Sequence, residues 1–411
     1  MCARCKGAHM LCGKSRCPLI VKFYTHRQIH PLINDTLVSG ATPPGVFIGR
    51  FGYPKVFVGP LIPPVHGDTR FLDTPECWSG LKIEDIVRFR FSLIRGKALS
   101  DIHAPARIDW HGVSLGKVVD VTREMGMSTS SIELSAEFEK KPFLQITLND
   151  EVQPFGPSAP LRRVDPSNIK LDHRIEKAFY DTDLRARDAV LMLYNAGTLV
   201  SAIQKSFSVG AFGIAKNRKF VPTRWSITAV DSIISEKLME ETRRAPLINE
   251  YRIYEFEQLD NRWIILMIPC TWRYELMEAW YPNTIWNPYG KGVVLLSDYE
   301  FYNGRKEYAE IGGCYYASRL AVNEHLTRER RQAGVVVMRE AHPGYIMPVG
   351  VWNVREAVRN ALRGKPRVYA TLHEALRRVG EVMDIPVTTW VKKSGILSDL
   401  ILQRRLDEFT V

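Results

Sequence analysis

Four of the seven cysteines stand in the first 17 residues, at Cys2, Cys5, Cys12 and Cys17. A C-x2-C pair folds into a tight knuckle that turns two thiolates towards one ion. A C-x4-C pair six residues on completes a tetrahedral set for structural Zn²⁺. Gly7 and Gly13 supply backbone freedom beside the ligands, and His9 offers an alternative to one thiolate. The second pair departs from C-x2-C and the intervening loop is short, so the expected site is a miniature one. A reduced, metal-free terminus is the competing reading. The remaining cysteines, Cys77, Cys270 and Cys314, are scattered singly, which excludes a disulfide scaffold.

Hydrolytic chemistry has weaker support. His66, Asp68, Asp73 and Glu76 cluster in a Pro-rich stretch, Asp109 and His111 flank Trp110, and Asp298 with Glu300 reads D-x-E. Such groups can hold Mg²⁺ or Mn²⁺ for phosphodiester hydrolysis. Their spacing matches no nuclease motif, and no G-x-S-x-G, H-E-x-x-H or Walker pattern is present. Surface roles are therefore favoured. A metal-dependent nuclease stays as one competing function, and a zinc-ribbon RNA-binding protein as another.

The charge balance points to a polyanion. Across 411 residues, 56 Lys and Arg oppose 45 Asp and Glu, a formal net charge of +11. Part of the excess is Lys6, Lys14 and Arg16 beside the cysteines. A second part is the segment with Lys216, Arg218, Lys219 and Arg224, interleaved with Phe212, Phe220 and Trp225. Cations there can meet phosphates while the rings stack on bases. The third part is residues 321–378, with 11 Lys and Arg against 5 Asp and Glu. Arg328, Arg330, Arg331, Arg355 and Arg359 carry much of it. On a helix, Arg355 and Arg359 share one face, so a DNA-facing surface is expected.

The elements that must position these groups are mixed. With 45% apolar and 25% charged residues the chain is an ordinary globular one. Disorder is excluded, and no apolar run is long enough for a membrane helix. The start lacks a basic stretch followed by an apolar one, so no secretory signal is expected and the location is the cytoplasm, at the nucleoid. Residues 46–61 read as a hairpin, 81–99 and 114–125 as helices, and 131–147 as a strand. Helices follow at 171–180, 184–196 and 227–244, and strands at 251–256, 263–274 and 292–296. Asn353 with Glu356, and Thr371 with Glu374, have capping-box spacing. The fold class is α+β, a mixed two-part core with a small zinc-ribbon-like segment and a C-terminal peptide tail. Its parts are a zinc-binding segment over 1–20, an α+β region over 21–150 and a Pro-rich linker over 151–168. A second α+β region with a basic surface spans 169–393, and a tail spans 394–411.

In that tail Gln403, Leu406 and Phe409 stand as Q-x-x-L-x-x-F. In one 3₁₀-like turn residues three apart lie on one side. Leu406 and Phe409 then fill one apolar pocket while the Gln403 amide makes oriented hydrogen bonds. The pattern resembles the motif that binds the sliding clamp PCNA, with Thr410 in place of its second aromatic. A terminal amphipathic helix packed through Leu397, Leu400 and Ile401 is the bland alternative. Taken with CARCKGAHMLCGKSRCP, FGYPKVFVGPLIPP and KNRKFVPTRWSITAVD, the QRRLDEF tail makes the chain resemble the archaeal Nre family of DNA-repair proteins, in its A type. The resemblance covers essentially the whole chain. It implies a DNA-repair role with PCNA and DNA as partners, assigns the clamp contact to Gln403, Leu406 and Phe409, and supplies no catalytic residue set.

Overall fold

The computed structural model describes residues 5, 9–33, 35–107, 116–143, 155–167 and 169–402. It forms two compact units, one of residues 18–234 and one of residues 1–17 with 235–411. Each is built on a six-stranded mixed sheet, the two-part α+β core that the sequence suggests.

In the first unit the strands are β1 (Leu37–Thr42), β2 (Val46–Ile48), β3 (Lys55–Ile62), β4 (Ile94–Asp101), β5 (Ile132–Phe138) and β6 (Ser158–Pro166), in the order β1-β5-β6-β4-β3-β2. Only β4 and β6 run parallel. Its helices are α1 (Pro18–Ile29), α2 (Ile83–Ser92), α3 (Lys117–Met127), α4 (His173–Tyr180), α5 (Ala186–Asn195) and α6 (Val200–Ser208). A seventh helix, α7 (Thr223–Thr242), carries the chain into the second unit. Strand β5 buries Ile132, Leu134, Ala136 and Phe138 on one face and turns the residues between them outward, as a half-buried strand must. The helix expected to run to Leu99 ends at Ser92 and gives way to β4. Within β4 a Cβ at Gly96 would stand 2.1 Å from Leu161 Cδ1, so glycine lets β4 lie close against β6.

The Pro-rich stretch is not a linker. Its residues 158–166 form β6, with Ala159, Leu161 and Val164 buried between β4 and β5. Burial of those three side chains overrides the weak strand propensity of the prolines around them.

In the second unit the strands are β7 (Tyr251–Gln258), β8 (Asn261–Ile268), β9 (Arg273–Trp280), β10 (Val294–Glu300), β11 (Gly334–Ala341) and β12 (Arg367–Tyr369), in the order β10-β9-β11-β8-β7-β12. The helices are α8 (Gly313–Glu329), α9 (Trp352–Arg363), α10 (Leu372–Val382), α11 (Val387–Lys393) and α12 (Gly395–Leu402). Alternate strand residues enter two separate cores. Trp263, Ile265, Met267, Val335 and Val337 pack with α8 and α9, through Leu326, Val358 and their neighbours. Ile264, Leu266, Ile268, Val336 and Met338 pack with Val379, Trp390 and Leu397 of α10, α11 and α12. A sheet covered on both faces reads as a continuous apolar run, which is why residues 263–268 look like one buried strand.

Burial on both faces leaves no water for the charges the strands carry. Arg339, 2% exposed, donates to Glu278 Oε1 at 2.7 Å and Asn261 Oδ1 at 2.9 Å, and lies over the rings of Trp263, Trp280 and Tyr345. Removing one partner of such a pair costs about 3–5 kcal/mol. On the opposite face buried Glu275 accepts from the amides of Gly395 at 2.9 Å and Ile396 at 3.0 Å, the first turn of α12. A carboxylate at a helix N-terminus meets unpaired amides and the positive end of the dipole.

That contact moves the tail boundary. Ser394, Ile396 and Leu397 are buried, so 394–402 belong to the body. Thr371 and Glu374 form the expected capping box at α10. Asn353 does not cap: it is buried inside the first turn of α9.

Candidate nucleic-acid interface

The hairpin of β2 and β3 turns through Gly52, whose φ of +82° suits glycine. Around that turn Phe51, Tyr53 and Phe57 are exposed, by 80%, 51% and 44%. Arg50 lies over the Phe51 ring and Lys97 over the Phe57 ring. Ile48 N donates to Thr223 Oγ1 at 2.9 Å, holding the first turn of α7 against β2. This places exposed Trp225 5.7 Å, centroid to centroid, from Tyr53. Two rings far apart in the chain thus share one surface. Exposed Lys55 and Arg224 flank the rings. Lys97 is lowered by burial and by the like charges of Arg95 and Lys140, while burial pushes Arg95 down to about 10. These cations repel one another, and an arriving anion relieves that repulsion. Rings that can stack and cations that can meet phosphates stand within one patch.

The basic segment itself divides. Lys216, Lys219 and Arg224 are exposed, as a phosphate contact requires. Arg218 is not available: it is 3% exposed, and its guanidinium donates to the carbonyls of Gly213 and Asp181. Phe212 and Phe220 belong to the core, so of the three expected rings only Trp225 reaches solvent. Phe51, Tyr53 and Phe57 are not among the residues that the sequence singles out. Their signal was the interleaving of rings and cations in RFGYPKVF, which reads equally as strand composition.

In the second unit α8 and α9 border a cleft of about 230 Å³, lined in part by His325, Arg328, Arg359 and Arg363. Arg328, Arg330 and Arg331 are exposed at the end of α8. Arg355 and Arg359 do share a helix face, but it faces inward. Arg355 is 1% exposed, and Arg359 is clamped by both oxygens of Glu324, at 2.7 and 2.6 Å, and by Glu356. A sequestered guanidinium cannot answer phosphate, which corrects the expectation for Arg355 and leaves Arg359 neutralised. His325 Nε2 lies 3.1 Å from the Tyr254 hydroxyl, and His325 Nδ1 accepts from Arg328 Nη2 at 3.2 Å. A ring nitrogen accepting from a guanidinium carries no proton, so the imidazole is neutral.

The hydrolytic candidates go separate ways. His66 pairs with Glu133 at 2.8 Å, and Asp68 takes the guanidinium of Arg70. Buried Asp73 binds Arg90 at 2.7 Å and Lys205 at 3.1 Å, and Glu76 Oε1 accepts from Ser201 N at the start of α6. Asp298 binds Arg305, and Glu300 binds Arg319. All are structural pairs, and no three of these side chains bring ligand atoms within 4.8 Å of one another. Asp109 and His111 lie outside the described residues, as do Cys2, Gln403, Leu406 and Phe409. Cys5 and Cys17 are buried and Cys12 half-buried. Gly13 has a φ of +68°, and Lys14 is buried with its Nζ on Asn283 O at 2.9 Å. Lys14 therefore spends its charge inside the second unit, not on a basic ribbon.

Exposed rings and cations thus share one surface of the first unit. Sequence comparison is specific about the class. Residues 11–287 match the model described as Archaeal Nre, N-terminal, and residues 300–409 match Archaeal Nre, C-terminal. The chain belongs to the archaeal Nre family. It is 40% identical over 398 residues to the DNA repair protein NreB of Archaeoglobus fulgidus, covering 96% of both chains. It is 35% identical to NreA of that organism, covering 91% of this chain and 92% of the relative. Haloferax volcanii NreA is 33% identical, with 89% and 87% covered. No solved structure matches it. Among the described residues no helix is long and apolar enough to cross a membrane.

The neutral, buried His325 has a pH consequence. Burial lowers its imidazole to about 4, against the pull of Glu329, from an ordinary 6.5. Between those values the unfolded chain binds the proton and the folded chain does not, so stability falls as pH drops through that window. Thermal unfolding of wild type should lose midpoint more steeply from pH 6.5 to about 4 than His325→Gln does; parallel profiles would contradict the assignment.

Proposed function

We propose that this protein is a DNA-repair factor that binds DNA through the Tyr53–Trp225 surface and is tethered to the sliding clamp PCNA by its C-terminal motif. The observation that carries the reading is the convergence of two separated motifs, RFGYPKVF and KNRKFVPTRW, into one exposed patch of rings and cations. Relatives that are named DNA repair proteins along nearly their whole length support the repair role. The described acids that a nuclease would use are held in separate contacts, which favours the binding reading.

Binding to single strands or unpaired regions is expected, since bases must be free to stack. Each base–aromatic stack contributes about 1–3 kcal/mol. Tyr53→Ala with Trp225→Ala should therefore weaken binding of a single-stranded oligonucleotide at least roughly tenfold by fluorescence anisotropy. Affinity unchanged in the double variant removes this surface from the reading.

The tether supplies what a modest patch lacks. A weak peptide contact on a loaded clamp raises the local concentration of the body at DNA. Deleting residues 403–411 should abolish capture by immobilised PCNA and leave the thermal midpoint unchanged, because Gly395–Leu402 already closes the described body. Capture that survives the deletion would place the clamp contact elsewhere.

Structural Zn²⁺ held by Cys2, Cys5, Cys12 and Cys17 completes the proposal. Burial of Cys5 and Cys17 supports it, as does the left-handed turn at Gly13 beside Cys12. Purified chain should carry one equivalent of zinc by elemental analysis, lost in Cys12→Ser with Cys17→Ser; equal zinc in both proteins would refute the site.

A further inference from the structure

We infer that Glu340, His342 and Asp384 form a second metal site, for a divalent first-row cation bound through one nitrogen and two carboxylate oxygens. Strand β11 ends at Glu340-Ala341 and His342 follows it directly; residues two apart in extended chain project from one face. Glu340 and His342 thus point to the side on which the chain leaves α10, where Asp384 stands. Their ligand atoms gather within 4.8 Å, the one such group of His, Cys, Asp and Glu among the described residues.

The distances suit an ion better than direct pairing. His342 Nε2 lies 3.5 Å from Glu340 Oε2 and 3.9 Å from Asp384 Oδ2. Ligands about 2.1 Å from one metal lie about 3.0–3.4 Å from each other, so closing this triangle needs only small movements. His342 Nε2 is buried and has no hydrogen-bond partner. A buried ring nitrogen left so is costly unless something occupies the space it faces.

The surroundings already orient each ligand. Glu340 is fully buried; its Oε1 accepts from Ile385 N at 2.8 Å and its Oε2 from Asp384 N at 3.1 Å. Asp384 gives Oδ1 to Arg262 at 2.7 Å and keeps Oδ2 on the side of the imidazole. The imidazole stacks on Tyr281, with centroids 4.3 Å apart and planes 26° from parallel, which fixes the ring. Such outer contacts are what sets ligand geometry in metal sites. Arg262 Nη1 pairs with Asp384 Oδ1 at 2.7 Å and reaches Glu340 Oε2 at 3.7 Å; its single charge against two carboxylates leaves a net negative charge for a cation. The Asp384 side chain is 56% exposed and gives access from solvent. Three protein ligands leave coordination positions for water or another oxygen ligand.

Nitrogen with carboxylate oxygen suits Mn²⁺ or Fe²⁺ better than the softer ions that thiolates select. Mn²⁺ is the probe, because the cysteine segment competes poorly for it. Chelator-stripped full-length chain, titrated with Mn²⁺ by calorimetry and followed by Mn²⁺ electron paramagnetic resonance, should bind one equivalent. His342→Asn and Asp384→Asn should each weaken that binding at least roughly tenfold, with thermal midpoints in chelator close to wild type. Saturating Mn²⁺ should raise the wild-type midpoint and leave both variants unmoved. Absence of binding to wild type, or equal binding by the variants, would overturn the site. Glu340 is not the test residue, since its carboxylate also holds the backbone of residues 384–385.

Discussion

The second unit depends on a sheet that is buried on both faces. Every strand residue of β8 and β11 must face one of two helical layers, and both layers are apolar. Charges on these strands have no water to turn to, so each is matched within the protein: Arg339 with Glu278, Glu275 with the start of α12, and Glu340 with the backbone after α10. The matches fix the outer elements. The Glu275 contact and the buried Ile396 and Leu397 together hold α12 on the sheet.

The first unit is arranged differently. Strand β5 alternates between core and solvent, and the hairpin of β2 and β3 carries Phe51, Tyr53 and Phe57 into solvent. Exposed aromatics of this size forgo burial worth about 1.5–3 kcal/mol each; at the hairpin Arg50 and Lys97 lie over two of them, and Tyr53 meets Trp225. That pairing of rings with cations is what the proposed binding surface rests on.

Much of this was legible in the residues. Alternation in Ile132–Phe138, the apolar run of β8 and the Thr371–Glu374 box announced their elements directly, because local pattern and tertiary role agree there. The failures have a common physical cause. Arg218 and Arg355 look like surface cations until three-dimensional packing supplies carbonyls and carboxylates to bury them. Residues 158–166 look like a linker until β4 and β5 flank them. Tertiary packing decided each case: Arg218 reaches Asp181, 37 residues away, and Arg355 is buried together with its neighbour Glu356. The same holds for the interface, where Tyr53 and Trp225 had to be brought together, and for Asp384, which lies 44 residues beyond the glutamate it meets.

The proposed DNA binding turns on bases stacking at the hairpin tip and the first turn of α7, which photo-cross-linking detects residue by residue. A single strand carrying 5-iododeoxyuridine is irradiated on the full-length chain, and the adducts are mapped by mass spectrometry. Adducts are expected at Phe51, Tyr53 or Phe57 and at Trp225. Adducts confined to the α8–α9 surface, with none at the hairpin or at Trp225, would contradict that stacking.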